Sequence, residues 1–108
     1  MRRKLYSAET LMEAGIPLHL CWTNSKRASI INLRTAMCFI LTIKLKQPQL
    51  WVSDLLQIDQ ANVCRHVKRH YQNYPDNKDY TSIYLSSVLA LEIAGILKPN
   101  APTNPQNP

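Results

Sequence analysis

Apolar side chains recur at helical spacing along most of the chain, most clearly in two short segments of its second half. Residues 52–56 place their apolar positions on one face of a short helix, and Val63 and Val67 recur four residues apart on the next. Ile58 lies between the two segments, and the Asp59 carboxylate is the expected cap of the second helix. The pattern predicts a helix-turn-helix, with Gln57 at the turn position that usually holds glycine.

The second helix of this pair has two faces when it is drawn at about 100° per residue. The face expected to be buried contains Val63, Cys64, Val67 and Tyr71. The opposite face carries the side chains that we predict to contact DNA bases: Gln60, Ala61, Asn62, Arg65 and Arg69. Gln and Asn can bind adenine, Arg can bind guanine, and Ala can contact a thymine methyl group. Ordinary packing of a helical hairpin would give the same short pattern and stays open as an alternative.

The N-terminal half predicts one short and one long helix. Ser7 is the expected cap of a first helix that ends near Ala14. A second helix, capped by Asn24 or Ser25, is expected from about residue 26 to 46, and it is apolar on most sides. A helix with this pattern is normally the central one of a domain.

The last predicted helix lies between Tyr80 and Leu97, after a cap at Asp79, and it contains a single charge, Glu92. One of its apolar faces must pack on the domain. The other is covered either by residues 18–22 folding back or by a second copy of the chain. Because large apolar patches are rare on monomers, we expect a homodimer through this helix. Together these patterns predict an all-α domain of about five helices with a helix-turn-helix.

The chain of 108 residues is expected to form one small domain over residues 1–98. Residues 1–6 are predicted to be a loose basic arm, and residues 99–108 a disordered tail. Three cysteines show no paired spacing, which indicates reduced thiols and a cytoplasmic setting. Cys38 and Cys64 are expected in the core because they fall on apolar helical faces.

Charge favours an anionic partner. Lys and Arg number 13 against 7 Asp and Glu, which gives a net charge of +6. No acid occurs between Glu13 and Asp54 or between Asp59 and Asp76, and both stretches contain basic residues. Such stretches are typical of double-stranded DNA binding. The side chains expected to contact phosphates are Lys26, Arg27, Arg34, His66 and Lys68.

Enzyme activity, cofactors and membrane insertion are not expected. Catalytic sets with recognisable spacing are missing, and two glycines leave no phosphate-binding loop. His19-x-Cys21 and Cys64-x-His66 could contribute zinc ligands, but no Cys-x-x-Cys supports a metal site. The apolar run over residues 36–45 is too short to cross a bilayer.

The order of elements resembles the C-terminal DNA-binding domain of the bacterial chromosomal replication initiator, DnaA. The residues that carry this resemblance are Arg34-Thr-Ala-Met37, Val52-x-x-Leu55-Leu56, Asp59-x-x-x-Val63, Arg65-His66-x-x-Arg69 and Asp76-x-x-Asp79-Tyr80. It implies a helix-turn-helix fold, duplex DNA as partner, and a small transcription or replication regulator of phage or mobile-element type. The family opens its recognition helix with Asp-His, two hydroxyl residues and Val. Here Gln60, Ala61 and Asn62 replace the middle three, which implies a different DNA target.

A second class of function stays open. The domain is alternatively a protein-interaction module or inhibitor that reuses a helix-turn-helix scaffold, because a basic face can also bind an acidic protein surface.

Overall fold

The computed structural model describes residues 4–99, and within this range it is built from helices alone. The predicted tail beyond Pro99 lies outside the described residues. The α-helices are α1 (Ala8–Glu13), α2 (Leu18–Cys21), α3 (Ala28–Phe39), α4 (Gln49–Leu56), α5 (Gln60–Asn73) and α6 (Lys78–Ile93). A π-helical segment, Ile40–Lys44, continues α3. The all-α prediction is therefore confirmed, with a short extra helix, α2. Within residues 4–99, none of the helices has the length and apolar character needed to cross a membrane.

Helix α3 is the central helix, as predicted. It packs mainly against α5 and α6. Every residue from Thr35 to Leu41 is buried, which agrees with an apolar pattern that covers most of the helix circumference. Side chains that project from this part of α3 toward α5 therefore start from the most constrained backbone of the domain.

Of the predicted helix caps, only that of the first helix, Ser7, is confirmed. The Ser7 hydroxyl accepts a hydrogen bond from the Thr10 N–H at 3.2 Å and caps α1. The last helix begins earlier than predicted, because the Asn77 side chain, and not Asp79, accepts from the Tyr80 N–H at 3.1 Å. Asp79 lies in the first turn of α6, where its carboxylate still interacts favourably with the positive end of the helix dipole.

The other two predicted caps are also wrong. Arg27 occupies the N-cap position of α3 without a side-chain cap, while Ser25 accepts from the Arg27 N–H in the preceding loop at 3.1 Å; Asn24 lies further upstream. Asp59 is at the N-cap position of α5, but the Asn62 N–H bonds to its backbone carbonyl at 2.9 Å and no helix N–H bonds to its carboxylate.

The N-terminal segment is attached to the domain, so its described part is not the loose arm that the sequence predicted. The buried Gln47 side chain accepts from the Tyr6 N–H at 3.1 Å and donates to the Lys4 carbonyl at 2.8 Å. The Trp51 indole N–H donates to the Tyr6 carbonyl at 2.9 Å. A polar side chain paired with backbone groups from a distant segment leaves no short-range apolar pattern, which is why the sequence missed it.

One face of α6 is exposed. Leu85, Leu89 and Ile93 are 50%, 55% and 79% accessible and follow each other at four-residue intervals. The segment over residues 18–22, which was the alternative cover, lies beside a different part of α6, since Leu20 borders a pocket with Ile83 and Ala90. Its Trp22 indole N–H donates to the Leu55 carbonyl of α4 at 2.8 Å. The stripe itself stays exposed.

Candidate nucleic-acid interface

The turn between α4 and α5 uses a left-handed residue without glycine. Gln57 ends α4 with φ 55° and ψ 47°. Its N–H bonds to the Asp54 carbonyl at 3.2 Å, and the N–H of Ile58 bonds to the Ser53 carbonyl at 3.0 Å. These bonds satisfy carbonyl groups at the end of the helix. The tight turn predicted from the sequence thus forms, at the cost of placing a side chain where glycine is less strained.

Two side chains of α5 bond to one hydroxyl group on α3. Thr35, which is fully buried, shares a hydrogen bond of 2.8 Å with His66 Nδ1. It also accepts a hydrogen bond from Arg69 Nη1 at 3.0 Å. Arg69, a predicted base contact, is therefore turned toward α3, and His66, a predicted phosphate contact, has one ring nitrogen engaged in the interior. The structure brings both residues together at the helix interface and away from the outward face of α5.

The His66 ring is held in its neutral form. Burial, together with the nearby positive charges of Arg69 and Arg34, lowers the pKa of His66 to about 4. The Thr35 hydroxyl already accepts from Arg69, so its own proton is available for His66 Nδ1. His66 is therefore uncharged at neutral pH and hydrogen-bonded to Thr35 at the helix interface.

The C-terminal half of α5 is attached through His70. This buried ring is stacked on Phe39, with 3.6 Å between the ring centroids and 9° between the planes. The Tyr80 hydroxyl hydrogen-bonds to its Nδ1. Burial, with a smaller effect from Lys44, lowers the pKa of His70 to about 4. Apart from Val63, His70 is the one fully buried side chain of α5, so this helix is attached along a narrow edge.

The outward face of α5 keeps most of its predicted residues. Gln60, Ala61, Arg65 and Lys68 are exposed, and Asn62 is partly exposed. Arg65 Nη1 donates to Asn62 Oδ1 at 2.8 Å, which holds the two polar groups side by side.

Two members of the predicted buried face are instead exposed. Cys64 is accessible and its sulfur accepts from Gln49 Nε2 at 3.3 Å. Tyr71 is 64% exposed, and its ring makes T-shaped contacts with Phe39 and His70. Both residues lie at the border between the side of α5 that packs on the domain and the side that faces solvent. Helical spacing alone does not tell whether a residue at this border is buried. Cys38 is buried as predicted, and burial raises the pKa of its thiol well above the ordinary value.

The basic loop, residues 23–27 between α2 and α3, lies beside α5 across a groove of about 850 Å³. Lys26 and Arg27 are exposed in this loop. Arg34, predicted to hold a phosphate, donates instead to the carbonyl groups of residues 21, 23 and 25. The opposite wall of the groove includes the carboxylates of Asp54 and Asp59. The groove therefore has mixed charge, with Lys26 as its exposed cation.

The described residues form no grouping suited to metal catalysis. Among residues 4–99, no three His, Cys, Asp or Glu side chains come together as metal ligands. Cys21 is buried beside Arg34, and burial raises the pKa of its thiol to about 11, so this thiol stays protonated.

Comparisons with known proteins leave the family open. No family model, curated protein or solved structure matches the chain. The resemblance to the replication initiator domain therefore stays a prediction.

The interface residue that the sequence missed is Thr35. The sequence pattern gives Thr35 no contact of its own, although it connects two side chains of α5. The available signal was a hydroxyl on a buried helical face, because such a group needs a hydrogen-bond partner.

Proposed function

We propose that this domain binds duplex DNA with the outward face of α5 in the major groove, as a small regulator of transcription or replication. The observation that supports the proposal is the separation of the two sides of α5. Thr35 and Phe39 hold one side to α3, while the other side presents amide, methyl and guanidinium groups without any acid. A helix attached along one edge is the arrangement that helix-turn-helix proteins use to reach base edges.

Each exposed residue of α5 suits a particular contact. Arg65 suits guanine, Gln60 and Asn62 suit adenine, and Ala61 suits a thymine methyl group. Lys68, at the edge of this face, suits a phosphate. Arg69 and Arg34 are not included in the proposed DNA contacts, because their guanidinium groups are already hydrogen-bonded within the domain.

The test begins with selection from a random duplex pool, followed by anisotropy titrations at several salt concentrations. Replacing Arg65 by Ala should weaken the selected site by about 1–3 kcal/mol and relax its sequence preference. Replacing Lys68 by Ala should weaken all duplexes alike and reduce the salt slope by about one. The matched control is Lys78→Ala, since Lys78 is also exposed but begins α6, beyond the C-terminal end of α5. Failure to retain any duplex at low salt would end the proposal.

The alternative is a protein-interaction module, and one observation favours it. Asp54 and Asp59 place two carboxylates on one wall of the groove, where they would repel a phosphate backbone. A basic protein segment would fit this wall better. Affinity capture from nuclease-treated host lysate distinguishes the two: a stoichiometric protein partner supports this alternative, and an empty capture beside tight DNA binding rejects it.

A further inference from the structure

The basic loop has one main support from the rest of the domain, and that support is Arg34. Three of its guanidinium N–H groups converge on three carbonyls, two in the loop and one at the end of α2. Nε donates to the Cys21 carbonyl at 3.1 Å, Nη1 donates to the Ser25 carbonyl at 3.0 Å, and Nη2 donates to the Thr23 carbonyl. A planar guanidinium has the fork of donors that this needs, whereas a lysine ammonium does not have directed donors in one plane.

The support comes from the rigid centre of the domain. Arg34 precedes the fully buried Thr35 on α3, so its side chain starts from a constrained backbone. Trp22, the residue just before the loop, is bound to α4 by the 2.8 Å hydrogen bond from its indole N–H to the Leu55 carbonyl. The path of the loop relative to α4 and α5 is therefore set at two points.

The consequence concerns the two exposed cations of the loop. Inside the loop, the Thr23 hydroxyl donates to the Leu20 carbonyl at 3.0 Å, and the Ser25 hydroxyl accepts from the Arg27 N–H at 3.1 Å. These local bonds shape the loop but do not attach it to α3. The bonds from Arg34 do, and they keep Lys26 at the groove that Asn62 of α5 also lines. The exposed Arg27 follows Lys26 directly in the chain.

We infer that Arg34 is a positioning residue: it holds the basic loop so that Lys26 and Arg27 contact the phosphates of a duplex bound to α5, and it does not contact DNA itself. This inference rests on the proposed DNA binding. A positioning role and a direct phosphate contact predict different DNA affinities when an Arg34 variant is combined with variants of Lys26 and Arg27.

The first experiment needs no DNA. Trypsin cleaves after Lys26 and Arg27, so the rate of cleavage in the free protein reports on how often the loop opens. Arg34→Gln and the milder Arg34→Lys should both speed cleavage about tenfold or more. Each variant loses at least one charge-assisted hydrogen bond that stabilises the closed loop, so the open loop becomes more populated. The control is Arg65→Gln, which removes an exposed arginine of α5 and should leave loop cleavage as in the wild type. Circular dichroism checks that each variant is folded. Equal cleavage of Arg34→Lys and wild type would overturn the inference.

The second experiment combines variants in DNA titrations over a range of salt. Lys26→Ala with Arg27→Ala should lower the salt slope by about 1.8, because each phosphate contact contributes about 0.9. Arg34→Lys keeps the charge, yet it should also lower the slope, and adding it to the double variant should change little further. If Arg34 instead contacts a phosphate, Arg34→Lys keeps the slope and its effect adds to that of the double variant, which rejects the inference. A protein that shows the proteolysis result but binds no duplex would reject the proposed function alone.

Discussion

Acidification should weaken the attachment of α5 to α3, because two histidines at this interface are neutral in the folded domain. The pKa values of His66 and His70 are about 4, against an ordinary value of 6.5. Between these values the unfolded chain binds protons that the folded chain does not. Stability from the two rings is therefore fully present above pH 6.5 and is lost as the pH falls toward 4.

The magnitude follows from the pKa values. When the pH falls from 7 to 5, a histidine that is fully shielded from water and has such a pKa lowers the free energy of unfolding by about 2 kcal/mol. His70, which is only 3% exposed, should contribute close to this amount. His66 is half-buried, so screening by water should reduce its share to about 1 kcal/mol. A total of about 3 kcal/mol is a large part of the stability of a small domain.

Urea unfolding followed by tryptophan fluorescence at pH 7, 6 and 5 measures this loss. His70→Gln and His66→Gln should each lower stability at pH 7 and flatten its decline toward pH 5, with the larger change for His70. The control is His19→Gln, which removes an exposed ring of α2 and leaves both interface rings in place. If the variant that lacks both His66 and His70 retains the wild-type decline, the attribution to these rings is wrong.

Three further predictions follow from single features. Gln57→Gly should raise the free energy of unfolding by about 0.5–1 kcal/mol, because Gln57 has φ 55°; a lower melting temperature would contradict this. Gln47→Ala should lower the free energy of unfolding by about 2–3 kcal/mol, since it leaves buried groups unpaired, and an unchanged urea midpoint would contradict this. The exposed stripe on α6 predicts a dimer by light scattering and a monomer for Leu89→Glu; a wild-type monomer at high micromolar concentration would refute the dimer.

The sequence predicted the helices well, because their apolar positions recur over several turns. The long pattern that ends near Lys46 located α3, and the pattern on both sides of Ile58 located the helix-turn-helix. The caps at Asp59 and Asp79 were predicted wrongly, because several polar residues precede each helix and the choice among them depends on backbone geometry.

The candidate site was predicted in part. Gln60, Ala61 and Arg65 are exposed as their spacing indicated. The roles of Arg34 and Arg69 could not be predicted, because each is decided by an acceptor on another segment of the chain. A basic residue near a predicted DNA surface looks the same in sequence whether its charge faces solvent or holds the fold together.

The narrow attachment of α5 has a consequence for which substitutions the domain tolerates. The residues that hold the helix, chiefly Val63 and His70, are separate from those that face outward, such as Gln60 and Arg65. Substitutions at the outward positions should cost little stability, since exposed side chains of this kind contribute little to folding. The outward set can therefore change while the scaffold stays the same. Grafting another outward set onto α5 should in turn give a folded protein with altered partner preference.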